Sequence, residues 1–245
     1  MTMTDARPRR CGTMATSKKK TKDKDYNALD VAAPMLPASW YFDPAHYEKE
    51  LASIWRRNWL YLCRADALAE PGAFERLSIG DQEIFVIRTA SGRLAGYYNT
   101  CRHRGSVLVT EPAGKIRGKT ISCPYHKWCY ATEDGALIAT SSFREPQDFD
   151  KKEFGLFPIA VHEWRGFVFV HFDGDAIWNE SAFFDDSLDD LKNFPLEKLT
   201  VGARWSKKLA CNWKSYWDNY NECLHCPHIH PELSSLVPIY KRGTA

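Results

Sequence analysis

Two short segments of this 245-residue chain each combine a cysteine with a histidine. The first is Cys101-Arg102-His103 and the second is Cys123-Pro124-Tyr125-His126, with nineteen residues between His103 and Cys123. Thiolate and imidazole are soft or borderline donors that suit zinc or an iron–sulfur cluster. We therefore interpret Cys101, His103, Cys123 and His126 as candidate ligands of one metal centre.

Three interpretations of these four residues stay open from their types alone. A [2Fe–2S] cluster in which two histidines replace two cysteines on one iron takes one thiolate and one imidazole from each of two loops, as the spacing offers. A Cys2His2 zinc site usually opens with two cysteines, so the Cys-x-His opening fits it poorly. Otherwise the four residues lie in loops and bind nothing. Neighbouring residues favour the cluster, because they permit close backbone approach or could shield it from water: Gly105, Pro124, Trp128 and Tyr130.

The same segments carry a resemblance to a known family. Asn-Thr-Cys-Arg-His-Arg-Gly at 99–105 and Cys-Pro-Tyr-His-Lys-Trp at 123–128 closely resemble the Rieske domain of the ring-hydroxylating, or Rieske non-haem iron, oxygenases. That family commonly has a small residue where this chain has Lys127. The departure bears on the reduction potential or on the contact with a reductase, and it leaves the ligand set unchanged.

A second group of candidate ligands lies between residues 218 and 231. His225 and His230 could be two arms of a 2-His-1-carboxylate iron site. The alternatives are a zinc knuckle built from Cys223, Cys226 and two histidines, or an ordinary helix end with buried thiols. Covalent haem requires Cys-x-x-Cys-His, and the proline at 227 excludes it.

The local pattern around these histidines makes two structural predictions. Glu222 and His225 are three residues apart, which predicts one helix face. Pro227 is expected to bend the chain after that turn, so that His230 returns to the same metal. His228 has no assigned role and is predicted to be structural, and Cys223 and Cys226 are expected to line the back of the helix.

This second segment also resembles the same oxygenase family. The resemblance implies that His225 and His230 bind a mononuclear Fe(II), and that Glu222 is the carboxylate that bridges to His126 of a neighbouring subunit in a homotrimer. The third iron ligand is expected downstream of Ala245, because Glu232 is too close in sequence to match it. We therefore expect the N-terminal portion of an α subunit, with the fragment inactive by itself.

The fold class predicted is α+β: an antiparallel β-sandwich Rieske domain followed by the start of a helix-grip catalytic domain. Asp43-Pro44 is expected to begin a helix, and Gly/Asp turns separate the strands that follow. Residues 176–200 are expected to be helical. The predicted domains are 1–39, a disordered basic leader; 40–174, the Rieske domain; and 175–245, the truncated catalytic domain. The predicted strands are Trp59–Cys63, Phe74–Ile79, Glu83–Arg88, Arg93–Asn99, Lys119–Ser122, Trp128–Ala131, Ala136–Thr140, Phe167–Phe172 and Val201–Leu209.

Composition excludes several other classes of protein. A hydrophobic content of 44% with nine tryptophans indicates a folded core, and no apolar run reaches the eighteen residues of a membrane helix. Residues 1–25 hold eight Lys/Arg against three Asp, whereas the remainder holds 25 basic against 28 acidic residues. An acidic body argues against a nucleic-acid surface. The eight cysteines show no secretory context, and thiols used as iron ligands need a reducing compartment, so we expect the cytoplasm.

The function that the resemblance implies is that of a terminal oxygenase. Electrons from NAD(P)H, delivered by a separate reductase or ferredoxin, would reach the [2Fe–2S] cluster and then Fe(II), where O2 is activated for hydroxylation or N-demethylation. The Glu-Cys-x-His-Cys-Pro run looks most like members that act on quaternary amines such as choline, glycine betaine or carnitine. An aromatic-ring dioxygenase is the alternative substrate class, and a Rieske ferredoxin-like electron carrier is the alternative kind of protein.

Overall fold

The computed structural model describes residues 34–141, 145–184, 188–222 and 224–242. The chain divides into two compact units, the larger from Ala38 to Leu209 and the smaller comprising residues 1–37 and 210–245. Because the described residues begin at 34, most of the predicted leader, residues 1–39, lies outside them. The domain boundary predicted after residue 174 stays a prediction, because a compact unit and a sequence domain need not end at the same residue.

The larger unit is an antiparallel β structure. Its described residues form two sheets, one of seven strands in the order β1-β10-β9-β4-β3-β2-β5 and one of three in the order β6-β7-β8. Every pairing between these strands is antiparallel, which confirms the predicted fold class. The strands are β1 (Leu60–Arg64), β2 (Ala73–Ile79), β3 (Gln82–Arg88), β4 (Leu94–Tyr98), β5 (Ala113–Lys115), β6 (Thr120–Ser122), β7 (Cys129–Ala131), β8 (Leu137–Ala139), β9 (Pro158–Trp164) and β10 (Phe167–His171).

Two of these strands were not predicted, and both have weak local patterns. All three residues of β5 are exposed, so β5 is a strand only because it pairs with the edge of β2. The strand β9 begins at Pro158 and joins β10 through the two-residue turn Arg165-Gly166. Both turn residues have positive φ, +46° and +82°, which is the conformation of a type I′ hairpin turn.

Alternate residues of the central strand β3 face two separate hydrophobic clusters. Phe85 and Ile87 belong to the cluster that includes residues of the three-stranded sheet, whereas Ile84 and Val86 belong to the other. All four are fully buried. This alternation is the two-residue side-chain period of a strand that is covered on both faces.

Outside the sheets, the larger unit contains short helices. Helix α1 (Pro44–Glu50) begins where Asp43 accepts a hydrogen bond from the backbone N–H of Ala45, as predicted, and a π-helical turn follows at Leu51–Trp55. The region predicted to be helical, 176–200, forms only short helical segments in its described part. These are α2 (Glu180–Phe183), α3 (Leu188–Leu191) and a 3-10 turn at Leu196–Lys198.

The strand predicted at Val201–Leu209 was wrong. These residues have no regular secondary structure, are exposed and pair with none of the described strands. Side-chain contacts hold the segment instead: the backbone N–H of Val201 donates to a carboxylate oxygen of Asp66, and Arg204 pairs with Glu75.

The described part of the smaller unit is helical. Asn212 caps its first helix by accepting a hydrogen bond from the backbone N–H of Lys214 at 3.0 Å. The helices are α4 (Trp213–Tyr220), α5 (Cys226–Ile229) and α6 (Pro231–Leu236), followed by a 3-10 turn at Pro238–Arg242. Among the helices formed by the described residues, none has the length and apolar character needed to span a bilayer.

Candidate metal centres

The first ligand segment follows β4 and forms a tight turn. The backbone N–H of Cys101 donates to the carbonyl of Ser106 at 2.8 Å, and the N–H of Gly105 donates to the carbonyl of Cys101 at 3.0 Å. Gly105 has a φ of +70°, in the left-handed region. The turn therefore begins at a cysteine and has a left-handed residue at its fifth position, with His103 between them.

The second ligand segment is the tip of the β6–β7 hairpin, and it forms the same turn. The N–H of Cys123 donates to the carbonyl of Trp128 at 2.8 Å, and the N–H of Lys127 donates to the carbonyl of Cys123 at 3.1 Å. The fifth residue is again left-handed, since Lys127 has a φ of +59°. The first loop, in contrast, lies between β4 and β5 and is closed by a bridge from Thr100 to Val107.

Asn99 fixes the chain on both sides of the first loop. This buried side chain accepts hydrogen bonds from the backbone N–H groups of Leu108 and Val109 and donates one to the carbonyl of Val109. Sequence reasoning quoted Asn99 as part of the motif without assigning it a role. The signal available was a polar residue directly before a candidate ligand loop.

The two turns bring the cysteine ligands together. Cys101 and Cys123 are both buried, and they lie close enough for each thiol to shift the pKa of the other. Burial raises the pKa of Cys101. Burial also raises the pKa of Cys123, but hydrogen bonds from the backbone N–H groups of His126 and Tyr125, together with those of the Cys101 and Ser106 side chains, bring that pKa below its usual range. These hydrogen bonds stabilise negative charge on the sulfur of Cys123, which is the form in which a cysteine binds iron.

The two histidines lie together beside the thiols. Their ring centroids are 4.7 Å apart at an interplanar angle of 72°. The Nδ1 atom of His103 is buried with no hydrogen-bond partner, which is costly unless another group occupies its lone pair. Burial of the ring lowers the pKa of His103, and the nearby His126 and Arg104 lower it further; all three favour the neutral imidazole, the form that binds a metal. These donors fit a cluster with two thiolate and two imidazole ligands.

Aromatic rings cover one side of this ligand set. Trp128 stacks on His103 with centroids 4.7 Å apart at 11°, and Phe149 and Phe154 lie edge-on to Trp128. The hydroxyl of the buried Tyr130 lies 3.2 Å from the Sγ of Cys101. The predicted shielding by Trp128 and Tyr130 therefore matches their positions, whereas Pro124 is exposed.

The histidine pair also lines an open cleft of about 320 Å³. Its wall includes Trp128 and Phe149 together with polar residues from the segment after β8. One of these, Glu145, is ion-paired with Lys151 at 3.0 Å. The lining residues are His103, Arg104, His126, Trp128, Thr140, Ser141, Glu145, Pro146 and Phe149.

Arg102 is a residue that sequence reasoning missed. Its guanidinium donates to the carbonyls of Gly155 and Glu153 at 2.7 and 3.3 Å, and it lies 3.9 Å from the centroid of the Phe157 ring. It therefore fastens the first ligand loop to a segment some fifty residues later. No local pattern marks such a contact, because both acceptors are backbone carbonyls.

The second candidate centre lies in the smaller unit, between α4 and α6. The Oε1 atom of Glu222 is 2.5 Å from Nδ1 of His225, and the rings of His225 and His230 have centroids 5.4 Å apart. The hydrogen bond to His225 lowers the pKa of Glu222. His230 does return close to His225, but the bend predicted at Pro227 was wrong, because that proline lies in the first turn of α5 and the helix itself carries the chain from His225 to His230.

The predicted helix face for Glu222 and His225 was wrong. Helix α4 ends at Tyr220, so both residues lie in the turn before α5, where Glu222 also accepts a hydrogen bond from the backbone N–H of Leu224. The carboxylate thus bonds to turn N–H and imidazole groups, which a continuous helix would not present together. Cys226 is buried, His228 is exposed, and Cys223 lies outside the described residues.

In the part of the chain that the structure describes, no three His, Cys, Asp or Glu side chains are grouped to hold a single ion. A [2Fe–2S] cluster distributes its four ligands over two irons, so they need not converge on one point. The described part of the second centre offers two imidazoles.

Comparison with known proteins identifies two domains. Residues 58–150 match the Rieske [2Fe-2S] domain, and residues 196–244 match the catalytic domain of the ring hydroxylating alpha subunit. The chain is 34% identical to the glycine betaine monooxygenase oxygenase subunit of Chromohalobacter salexigens, over 82% of this chain and 44% of that protein. It is 30% identical to the carnitine monooxygenase oxygenase subunit of Acinetobacter pittii, over 89% of this chain and 58% of that protein.

A solved structure agrees with these relatives. It is that of a quaternary ammonium Rieske monooxygenase described as revealing insights into carnitine oxidation and inter-subunit electron transfer; it has a TM-score of 0.69 at 29% identity and covers 80% of this chain and 53% of that one. The chain thus spans about half the length of the relatives it matches. With its Rieske domain and the start of an alpha-subunit catalytic domain, the chain belongs to the Rieske oxygenase family.

Proposed function

We propose that this chain holds the electron-transfer centre of a terminal oxygenase. In this proposal Cys101 and Cys123 bind the inner iron of a [2Fe–2S] cluster, and His103 and His126 bind the outer iron. The observation that carries it is that two turns of identical hydrogen-bond pattern bring two thiols and two imidazoles together. We assign residues 40–174 to the Rieske domain and 175–245 to the catalytic domain.

Each residue around the cluster has a definite task. When bound, the cluster supplies one-electron transfer and a mononuclear Fe(II) supplies O2 activation. Stacking on Trp128 fixes the ring plane of His103, and Phe149 and Phe154 pack edge-on against Trp128 and hold it in place. The Tyr130 hydroxyl donates to Cys101 and stabilises negative charge on its sulfur.

We assign His225 and His230 as protein ligands of the Fe(II). Glu222 accepts a hydrogen bond from Nδ1 of His225, so the lone pair of that imidazole is on Nε2, where a metal can bind. A carboxylate in this position also raises the basicity of the imidazole. The centroid distance of 5.4 Å between the two rings is compatible with a shared ion, and the carboxylate ligand would come from elsewhere in the complete protein.

Glu222 would also lie on the path by which an electron passes from the cluster of a neighbouring subunit to the Fe(II). One oxygen of Glu222 contacts His225, and the cluster of another chain would approach through His126, which lines the open cleft. A closed ring of three subunits is a symmetry that allows every chain to make both contacts. The related quaternary ammonium monooxygenase, described in terms of inter-subunit electron transfer, supports this arrangement.

The proposed reaction is hydroxylation or N-demethylation of a quaternary amine, with electrons from NAD(P)H through a separate reductase or ferredoxin. Its support is the similarity to glycine betaine and carnitine monooxygenase subunits. An aromatic-ring dioxygenase is the second candidate. The alternative kind of protein, a ferredoxin-like electron carrier, is less well supported, because it would give the Glu222–His225 contact no function. The reduced thiols that the site needs favour the cytoplasm.

Iron content and a variant of Glu222 test this proposal. Anaerobically prepared protein with the complete catalytic domain should contain three irons per chain, whereas a carrier would contain two. Glu222→Gln should retain all three irons and the cluster's EPR signal and lose turnover. Glu232→Gln, an exposed carboxylate in the first turn of α6, is the matched control and should keep normal turnover. Near-normal turnover in Glu222→Gln would refute the bridging role.

A further inference from the structure

Lys127 occupies a backbone position that favours glycine. Its φ of +59° lies in the left-handed region, which is unfavourable for a residue with a Cβ. The first ligand loop forms the same turn and has Gly105 at the equivalent position, with a φ of +70°. A Cβ on Gly105 would meet no atom within 4 Å, so space does not decide between the two residues. Lys127 is therefore kept in its loop at a conformational cost.

The hydrogen bonds of the turn do not require a lysine side chain. The hydrogen bonds of Lys127 that define the turn come from its backbone, since its N–H donates to Cys123 and its carbonyl accepts from the thiol of Cys129. A glycine makes the same bonds in the first loop. The side chain is exposed and forms no ion pair with any described residue. What the lysine adds is thus a positive charge that the local fold does not neutralise.

That charge belongs to the residue that directly follows one of the proposed iron ligands in the chain. Lys127 directly follows His126, whose ring lines the open cleft. The neighbouring wall contributes Arg104, which is also exposed and has no ion pair within the described ranges, whereas Glu145 of the same cleft is already paired with Lys151. The residues next to the two histidines therefore include two cations, Arg104 and Lys127, that form no ion pair with any described residue.

We infer that Lys127 raises the reduction potential of the cluster by holding a positive charge beside its histidine-ligated iron. Reduction adds one electron and no bond changes, so a nearby cation stabilises the reduced form more than the oxidised one. This inference rests on the cluster ligation proposed above. It makes Lys127 a residue that acts on the centre through space, and it accounts for a lysine where the turn favours glycine.

Four variants separate charge from backbone conformation. Lys127→Gln removes the charge and keeps a side chain, Lys127→Gly removes the charge and the strain, and Lys127→Arg keeps the charge. Lys49→Gln, on the exposed side of α1, is the matched control for loss of one positive charge. The measurement is an EPR-monitored redox titration of the cluster-loaded chain with chemical mediators, at low ionic strength and without any protein partner.

At the potential where the wild-type cluster is half reduced, the ratio of reduced to oxidised cluster should fall about three- to tenfold in Lys127→Gln and Lys127→Gly, tenfold being about 59 mV for a one-electron couple. Lys127→Arg and Lys49→Gln should match the wild type. The thermal unfolding midpoint should rise in Lys127→Gly and not in Lys127→Gln, because only glycine relieves the backbone.

An unchanged ratio in Lys127→Gln would overturn the inference, and so would an equal shift in Lys49→Gln. Different results would refute the ligand assignment and the role of Lys127. A chain without the EPR signal of a histidine-ligated cluster would overturn the ligand assignment as well, whereas a normal signal with an unchanged ratio would overturn this inference alone.

Discussion

Removal of the Tyr130 hydroxyl should lower the reduction potential of the cluster. Tyr130 is completely buried, and its oxygen lies 3.2 Å from the Sγ of Cys101. The same oxygen accepts a hydrogen bond from the backbone N–H of Arg102 at 3.1 Å. Because that N–H occupies an oxygen lone pair, the hydroxyl proton is free to point at the sulfur. Tyr130→Phe removes this donor and keeps the ring.

The size of the effect follows from the strength of this bond. A hydrogen bond to a charged group contributes about 1.5–3 kcal/mol. The reduced cluster carries one more negative charge, and if about half of that energy distinguishes the two redox states, the potential falls by about 30–60 mV, since 59 mV corresponds to 1.4 kcal/mol for one electron. The N–H of Arg102 also loses its acceptor, so the free energy of unfolding should fall by about 1–2 kcal/mol.

The assay is a redox titration of the cluster beside urea unfolding of the same variants. Tyr97→Phe is the matched control, because Tyr97 is equally buried in the same hydrophobic cluster and donates to the carbonyl of Thr132 at 3.2 Å. It should lose comparable stability and keep the wild-type potential. A Tyr130→Phe potential equal to that of Tyr97→Phe would refute the reasoning.

Two further predictions concern stability and thiol reactivity. Asn99→Ala should lower the free energy of unfolding by about 3 kcal/mol in urea titrations, because three buried backbone groups lose their hydrogen-bond partner. Asn58→Ala is the control. The exposed side chain of Asn58 donates to the carbonyl of Ile54, and its loss should change the free energy of unfolding by less than about 0.5 kcal/mol. Burial raises the pKa of Cys63 from 9.0 to about 12, so the folded state favours the neutral thiol. The stability that the protonated thiol contributes is fully present below about pH 9 and is lost as the pH rises towards 12. Iodoacetamide at pH 8 should therefore label the exposed Cys211 and leave Cys63 unlabelled until the chain unfolds, and rapid labelling of Cys63 in the folded chain would contradict its burial.

The sequence supported the fold class and the ligand chemistry because both depend on local patterns. Short apolar segments between Gly/Asp turns mark strands such as β2 and β3 wherever their neighbours lie. The four donors of the first centre could be chosen by residue type and spacing alone. The same reasoning failed for Val201–Leu209, which has a strand-like pattern but no partner strand, and for β5, which has a partner and no pattern.

Only the tertiary structure decided how the donors are held. Both ligand loops use one turn, with Gly105 and Lys127 left-handed at equivalent positions. The sequence showed only that Lys127 replaces a small residue of the family it resembles, and the left-handed backbone that favours glycine there became visible in the structure. Tyr130 reaches Cys101 across 29 residues, and Arg102 reaches Gly155 across 53. Local sequence specifies which atoms can bind a metal and where the chain can turn. Contacts between distant segments form only when the sheets pack. Packing decides which distant residues meet, and the composition of the turns does not specify this.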